Sequence, residues 1–270
     1  MSAPVSRLGR VGRWALNLYA AAALLYLFAP IIWIVAFSFN EPAGRFNIAW
    51  QRFTLDNWRD PFSNQGLTEA FVQSLRIAVI STSVATVLGS MIAIALSRYS
   101  FKGSGPLNFL LVLPITTPEI VLGSSLAAMF LDWDINRGFA TVLIAHIMFQ
   151  VSFVALTVRA RVRGFDWTLE QAAQDLGANP LKTFWKVTFP LILPGILAAA
   201  LLSFALSIDD FIITLFNAGS LSTFPIYIDG SFKVRFPPQI NVLATTILLA
   251  SVIMMVIGLL WGQRSRRQDS

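Results

Sequence analysis

The sequence predicts an all-α protein built on six membrane-spanning helices, and three observations carry that expectation. Of 270 residues, 56% are hydrophobic and 13% charged, with a mean hydropathy of +0.66; soluble domains run at about 45–50% and about 25%. The uncharged runs Trp14–Asn40, Ile77–Ser97, Gly138–Val158, Val187–Ile208 and Phe236–Gln263 each exceed 20 residues, and a sixth block, Pro106–Leu131, is interrupted only by Glu119. About 20 apolar residues at about 1.5 Å each cross a hydrocarbon core of about 30 Å. None of the blocks alternates apolar and polar residues over about 10 positions, as barrel strands do.

Taken in order, the six blocks are joined by short connections except at one place, residues 159–190. No repeat, low-complexity tract or linker divides the chain, so residues 1–270 are expected to form one domain. Trp14–Asn40 is too long for the apolar core of a leader peptide and lacks a small-residue cleavage site, so a spanning helix is expected there rather than a removed leader. The net charge of +6 hints at nucleic acid until its residues are located. Thirteen of the 20 Lys and Arg residues fall at the two termini, at Arg98 and Lys102, and at Arg159, Arg161, Arg163, Lys182 and Lys186. The other seven fall in the alternate connections or, for Arg76, at a helix mouth. The positive-inside rule then predicts both termini and the 159–190 segment on the cytoplasmic side, and the basic balance needs no nucleic acid. Zero cysteines exclude a thiolate metal site and a cysteine nucleophile, and a single histidine leaves too few ligands for most zinc sites. No metal site is expected.

The 159–190 connection has structure of its own. Thr168-x-x-Gln171 fits a capping box, and Leu169, Ala172, Ala173 and Leu176 fall on one face of a short helix. Gly177 supplies the stop, and Asn179-Pro180 opens a second helix through Lys186. The first helix therefore offers a narrow ridge of small apolar residues, suited either to a partner's groove or to packing on its own bundle. Pro190 and Pro194 mark the turn into the fifth span. Pro114 and Pro118 break the third, freeing carbonyls that only a protein interior or a cavity tolerates.

Three acids sit inside apolar blocks. An acid at a helix centre costs about 2.5–3.5 kcal/mol on insertion scales, so each needs a cavity, a partner or a proton. At about 1.5 Å per residue, Glu119 lies roughly 20 Å above the start of its span, Asp209 roughly 22 Å above Pro194, and His146 about 12 Å down from Gly138. Glu119, Asp209 and Asp210 are thus expected at similar depth, where a shared water-filled path would favour a cation. Asp209 and Asp210 point about 100° apart on a helix, so one of them is equally suited to capping a helix end or pairing with Arg76. His146 reads as a core histidine with its ring satisfied. Trp50, Trp58 and Trp133 read as interfacial anchors.

The run Glu170-Gln-Ala-Ala-Gln-Asp-Leu-Gly177, then nine residues to Val187-Thr-Phe-Pro190, resembles the cytoplasmic signature of ABC importer permeases, which is Glu-Ala-Ala, three residues, Gly, nine residues, Ile-x-Leu-Pro. Gln171 stands where that signature has Glu, with Glu170 one place earlier; Val187 and Phe189 replace Ile and Leu. Ser203–Phe211, Phe224–Ile228, Pro238–Thr245 and Pro114–Gly123 resemble the spermidine/putrescine branch of these permeases. The resemblance covers roughly residues 50–255. It implies an importer permease of the bacterial inner membrane working by alternating access, with a paired permease (a heterodimer or a homodimer), two copies of a cytoplasmic ATPase and an extracytoplasmic binding protein. The 168–176 helix would seat in the ATPase, with Glu170, Gln171, Ala172, Ala173, Asp175, Leu176, Gly177 and Pro190 as the coupling residues. Glu119, Asp209 and Asp210 would line the path of a small cationic solute. ATP and magnesium would belong to the ATPase; no Gly-x-x-x-x-Gly-Lys-Ser/Thr loop occurs here, and no cofactor is expected on this chain. The alternatives are another cargo in the same class (an opine, another organic cation, a sugar or an anion), an intramembrane protease, or a transporter independent of ATP. No Gly-x-Gly-Asp motif is present, Gly123-Ser-Ser with His146 imitates a serine protease only weakly, and an ATP-independent carrier has no use for the 168–176 helix.

Overall fold

A computed structural model describes residues 10–268. Its elements in chain order are α1 (Arg10–Phe37), strands β1 (Asn40–Glu41) and β2 (Arg52–Phe53), α2 (Asp56–Arg59), α3 (Gln65–Arg98), α4 (Ser104–Thr116), α5 (Glu119–Asp132) and α6 (Phe139–Val162). There follow α7 (Thr168–Asp175), α8 (Pro180–Thr183), a wide π turn (Phe184–Thr188), α9 (Phe189–Asp209), α10 (Ile212–Asn217), α11 (Phe224–Val234) and α12 (Pro238–Gln268). Among the described residues the architecture is helical apart from one two-residue hairpin ladder and an isolated bridge between Phe46 and Phe236.

Among the described residues four helical stretches are long and apolar enough to span a membrane: Trp14–Phe37, Gln65–Arg98, Phe139–Val162 and the continuous run Pro180–Asp209. The third expected span is not straight. It is the pair α4 and α5, bent by 108°, and counts as a fifth span only if taken as one. The residue before a proline is pushed into the extended region, and Thr117 (φ −78°, ψ 131°) and Pro118 (φ −55°, ψ 133°) both leave helical geometry here. Pro114, which also looked like a breaker, lies inside α4. The expected block Phe236–Gln263 falls in α12 from Pro238 onward, and Pro238–Ile253 is its apolar stretch among the described residues. Arg7 and the terminal arginines Arg264, Arg266 and Arg267 fall outside the described side chains.

The chain divides into two compact units. The first takes in Met1–Gln65 and Gly230–Ser270, and its regular elements among the described residues are α1, the hairpin, α2, the end of α11 and α12. Three buried asparagines tie its loops: Asn40 Nδ2 donates to Asn47 Oδ1 (2.7 Å), Asn47 Nδ2 to the Phe37 carbonyl (2.8 Å), and Asn57 Nδ2 to the Ser38 and Asn40 carbonyls. Each amide satisfies backbone groups that no regular ladder reaches. Trp58 is half-buried, stacked on Phe39 and donating to Ser38 Oγ at 3.2 Å.

The second unit, Gly66–Asp229, is organised around α6. Ala85 and Ala93 of α3, Val154, Val158 and Val162 of α6, and Ile192, Ile196 and Ala199 of α9 form one buried cluster. Leu126 and Phe130 of α5, Ala145 and Phe149 of α6 and Ile213 of α10 form another. Small residues set how closely these helices approach. A methyl added at Gly89 would stand 2.7 Å from Val154 Cβ, and one at Gly123 only 3.1 Å from Ile213 Cα. The α3–α6 and α5–α10 contacts therefore depend on positions without a Cβ.

Between α8 and α9 no turn separates a surface helix from a span, contrary to the reading of Pro190 and Pro194. The helix runs on, and the Phe189 N–H bonds the Phe184 carbonyl five residues back. A proline ring normally collides with the carbonyl four residues earlier. For Pro190 that carbonyl belongs to Lys186, inside the wide turn, so the extra residue gives the ring room.

Candidate functional site

Two features of the second unit concentrate polar chemistry. The first is a cavity of about 300 Å³ where both helix breaks meet, lined by Pro114, Thr117, Glu119, Phe149, Phe153, Leu206, Asp209, Asp210 and Ile213 among others. Glu119 is the first residue of α5, where a carboxylate complements the helix dipole. Asp209 ends α9, and Asp210 adopts extended geometry (φ −62°, ψ 119°) before α10 begins. The straight-helix depth argument fails for the bent α4–α5 pair, yet the fold brings all three carboxylates to one cavity.

The two aspartates are not equivalent. Asp210 Oδ2 accepts from the Thr214 N–H (2.8 Å) and Thr214 Oγ1 (2.6 Å), which caps α10, and lies 3.3 Å from His146 Nε2, its side chain only 5% exposed. Arg76 is not its partner; among the described residues the basic side chain within 4 Å of Asp210 is His146. The His146 ring is buried and bonded at both nitrogens, Nδ1 to Ser207 Oγ at 2.8 Å and Nε2 to Thr214 Oγ1 at 2.9 Å. Ser207 Oγ meets Ser81 Oγ at 3.3 Å, and Gln150 Nε2 donates to Ser81 Oγ at 3.0 Å. This buried chain joins α3, α6, α9 and α10 behind the cavity. Asp209, by contrast, is exposed and has no ion pair among the described residues, and the same holds for Glu119. Ser81, Gln150, Ser207 and Thr214 had no motif to mark them; serines and threonines spaced along apolar helices were the available signal.

The second feature is α7. Its cap differs from the expected box: Asp166 Oδ1 accepts from the Thr168 N–H (3.0 Å) and Oγ1 (2.8 Å). Those two bonds, the hydroxyl first, hold the Asp166 carboxyl below the usual carboxylate range. The stop is as expected. Gly177 takes φ +86°, its N–H bonds the Gln174 carbonyl, and the Ala178 N–H reaches back to Ala173, the double closure typical of a left-handed helix end. Asn179 Oδ1 accepts from the Lys182 N–H, with Pro180 next.

The helix presents its ridge outward: Leu169 and Ala172 are exposed, Ala173 half-buried, and Leu176 is 89% exposed. Gln171, Gln174 and Asp175 are exposed as well. Glu170 is the exception. It is buried, its Oε2 2.7 Å from Arg98 Nη2, and its Oε1 accepts from Thr188 Oγ1. Pro190 sits near the start of α9, not on the outer face of α7. Among the described residues no group of three His, Cys, Asp or Glu is placed to hold a metal ion.

Residues 85–266 match the family described as the binding-protein-dependent transport system inner membrane component. The chain belongs to this family. It is 37% identical over 247 residues to the spermidine/putrescine transport system permease protein PotC of Escherichia coli strain K12, covering 91% of this chain and 93% of that one. It is 33% identical over 251 residues to the putrescine transport system permease protein PotI of the same strain, covering 90% and 89%. Its fold is that of ABC importer subunits. A bacterial ABC transporter involved in import of the acidic polysaccharide alginate superposes with TM-score 0.65 over 97% of this chain and 99% of that one, at 16% identity. The MetNI methionine ABC transporter gives 0.57 over 77% and 99%, also at 16% identity. The chain is therefore a multi-pass inner-membrane permease subunit of an ABC importer, a transport protein and not an enzyme.

Proposed function

We propose that this permease carries a small polyamine-type cation inward, delivered by an extracytoplasmic binding protein and driven by two copies of a cytoplasmic ATPase. The observation that carries the cargo reading is the convergence of Glu119, Asp209 and Asp210 on one cavity at two helix breaks. In a low-dielectric surround, carboxylates there attract ammonium groups far more strongly than in bulk water, and broken helices are where transport proteins expose backbone polar groups to cargo. The curated relatives carry spermidine and putrescine in their names. Asp209 and Glu119 are the contact residues; Asp210 lines the cavity but its Oδ2 is engaged by Thr214 and His146.

Residues 1–270 act as one permease domain with six spans, counting α4 with α5 as the third and α12 as the sixth, both termini and the 159–190 segment lying in the cytoplasm. A second permease, homologous or identical, completes the path. The exposed ridge of α7, with Gln171, Ala172, Ala173, Asp175 and Leu176 held in place by Gly177, seats in the ATPase. ATP and magnesium bind there and no cofactor binds this chain. ATP binding draws the α7 helices together and opens the bundle outward; hydrolysis resets it inward.

The test is uptake into proteoliposomes holding the chain with its ATPase and second permease. Labelled spermidine or putrescine enters only with internal ATP and loaded binding protein. Uptake without an ATPase overturns the class, and ATP-dependent uptake of a sugar or anion in place of these cations overturns the cargo.

A further inference from the structure

Glu170 occupies a position on α7 from which an acid would be expected to reach outward, and it does not. Its side chain is 5% exposed, and both carboxylate oxygens are taken inside the chain. Arg98, the last residue of α3, approaches with Nη2 at 2.7 Å from Oε2 and Nη1 at 3.3 Å from Oε1. The guanidinium is also held over the rings of Tyr99 and Trp167, 5.6 Å from each centroid. Thr188, itself buried at the end of the wide turn that opens α9, donates its hydroxyl to Glu170 Oε1. Three elements that are far apart in sequence thus meet on one carboxylate. The next residue, Gln171, is turned away and exposed.

We propose that Glu170 is a positioning residue that fastens α7 to the foot of α9, so that displacement of α7 is carried along α9 to Asp209 and the cavity. The proposal rests on the reading of α7 as the ATPase-contacting helix and names how its motion enters the bundle. α9 is one helix of 21 residues between the two places, roughly 30 Å at about 1.5 Å per residue, with Pro194 inside it near its start. The remaining turns to Asp209 hold no further proline and can carry a displacement along the axis, whereas a tether through an exposed loop would absorb the stroke. The wide turn beside Thr188 is where α9 has slack to rotate without losing its backbone bonds. A buried acid is costly to separate from its guanidinium, because the charge is left without a counter-ion, and losing the hydroxyl leaves a buried acceptor short of a donor. The attachment is therefore stiff in the direction that matters, and the ATPase contact falls to the neutral Gln171 and the apolar ridge.

The experiment uses the complete transporter, with spermidine as probe, and two readouts: uptake per ATP hydrolysed, and the distance distribution between spin labels at Gln174 on α7 and Leu191 on α9. The chain has no cysteine, so both labels attach at introduced cysteines alone. Glu170→Gln and Arg98→Glu are each expected to lower uptake per ATP at least five-fold while the ATPase stays bound, and to broaden the label distance. Combining Arg98→Glu with Glu170→Arg recovers at least half of both. Thr188→Val, which leaves the ion pair in place, lowers uptake per ATP about two-fold and supplies the answer if the charge variants do not assemble. Unchanged uptake per ATP with an unchanged distance overturns the proposal. So does loss of uptake in proportion to lost ATPase, which would make Glu170 a contact to the partner, or a charge exchange that restores nothing. Absence of ATP-dependent uptake in the wild-type assembly would count against the functional reading instead, and the label distances would still judge the attachment.

Discussion

The two ends of α9 are built alike and finished differently. At the start, adjacent residues of α7 divide their work: Glu170 is buried on Arg98 and Thr188, and Gln171 is exposed. At the far end, Asp210 is held by Thr214 and His146, and its neighbour Asp209 is exposed at the cavity. On a helix, neighbours point about 100° apart, which turns Glu170 inward and Gln171 outward; at Asp209 and Asp210 the helix stops between the two, and the extended backbone of Asp210 does the separating. The chain uses the inward carboxylate of each pair to fix geometry. What remains outward differs in charge, neutral at Gln171 and acidic at Asp209. That suits a docking ridge for a protein at one end and a contact for a cation at the other.

The largest expected effect comes from distorting the outward face at the start. Gly177 lies at φ +86°, and a Cβ there meets nothing within 4 Å, so the obstacle to substitution is backbone conformation and not space. A left-handed residue with a Cβ costs about 1–2 kcal/mol, most for a β-branched one. Gly177→Val should abolish both uptake and co-purification of the ATPase with membrane insertion intact, whereas Gly177→Asn, which tolerates that conformation, should retain both. If the valine variant still binds ATPase at wild-type level, α7 does not seat in the partner.

The next effect separates the aspartates. Asp209→Asn should lower spermidine uptake about ten-fold or more with little change in assembly or melting temperature. Asp210→Asn should lower the melting temperature, since a weakened helix cap costs about 0.5–2 kcal/mol, and reduce uptake in step with the folded fraction. Equal behaviour of the two variants in both assays would dissolve the distinction between the inward and outward residue at that end.

How much of this could be read from the residues follows the range of the interactions. Long uncharged runs declare α1, α3, α6 and α9 because hydrophobicity along a helix is local. Gly177 and Asn179-Pro180 declare their turns for the same reason. Pro118 announces a break in the third block but not its 108° bend, which depends on α5 closing against α10 at Gly123. Thr168 and Asp166 are both competent caps, and only the backbone path decides for Asp166. At Asp209 and Asp210 a helix end to cap was one of two open readings, and the sequence could not say which aspartate or where, because the partners that decide it, Thr214 and His146, are tertiary. The Arg98–Glu170 pair spans 72 positions and has no local mark at all. The three acids of the cavity were legible one by one as misfits in apolar sequence; which of them is free was not.

The smallest effect probes how α7 is anchored at its own start, independently of Glu170. The Asp166 carboxylate accepts two bonds from Thr168, and its carboxyl is held below the ordinary value of about 3.9. A group depressed on folding adds stability that is complete above its unfolded pKa and fades as pH falls through the folded one. The cap should therefore be constant across neutral pH and weaken only below about pH 4. Carboxyl-carbon NMR of the labelled protein should show Asp166 titrating below a free aspartate, and Thr168→Ala should move it back toward the free value. Protection of the Thr168 amide, taken against its intrinsic exchange rate at each pH, should fall over the same acid range in the wild type and be lower at all pH values in Asp166→Ala. Protection that is indifferent to both changes would mean that the buried Glu170 attachment alone orders α7, making the inward residue of that pair sufficient to set the outward face.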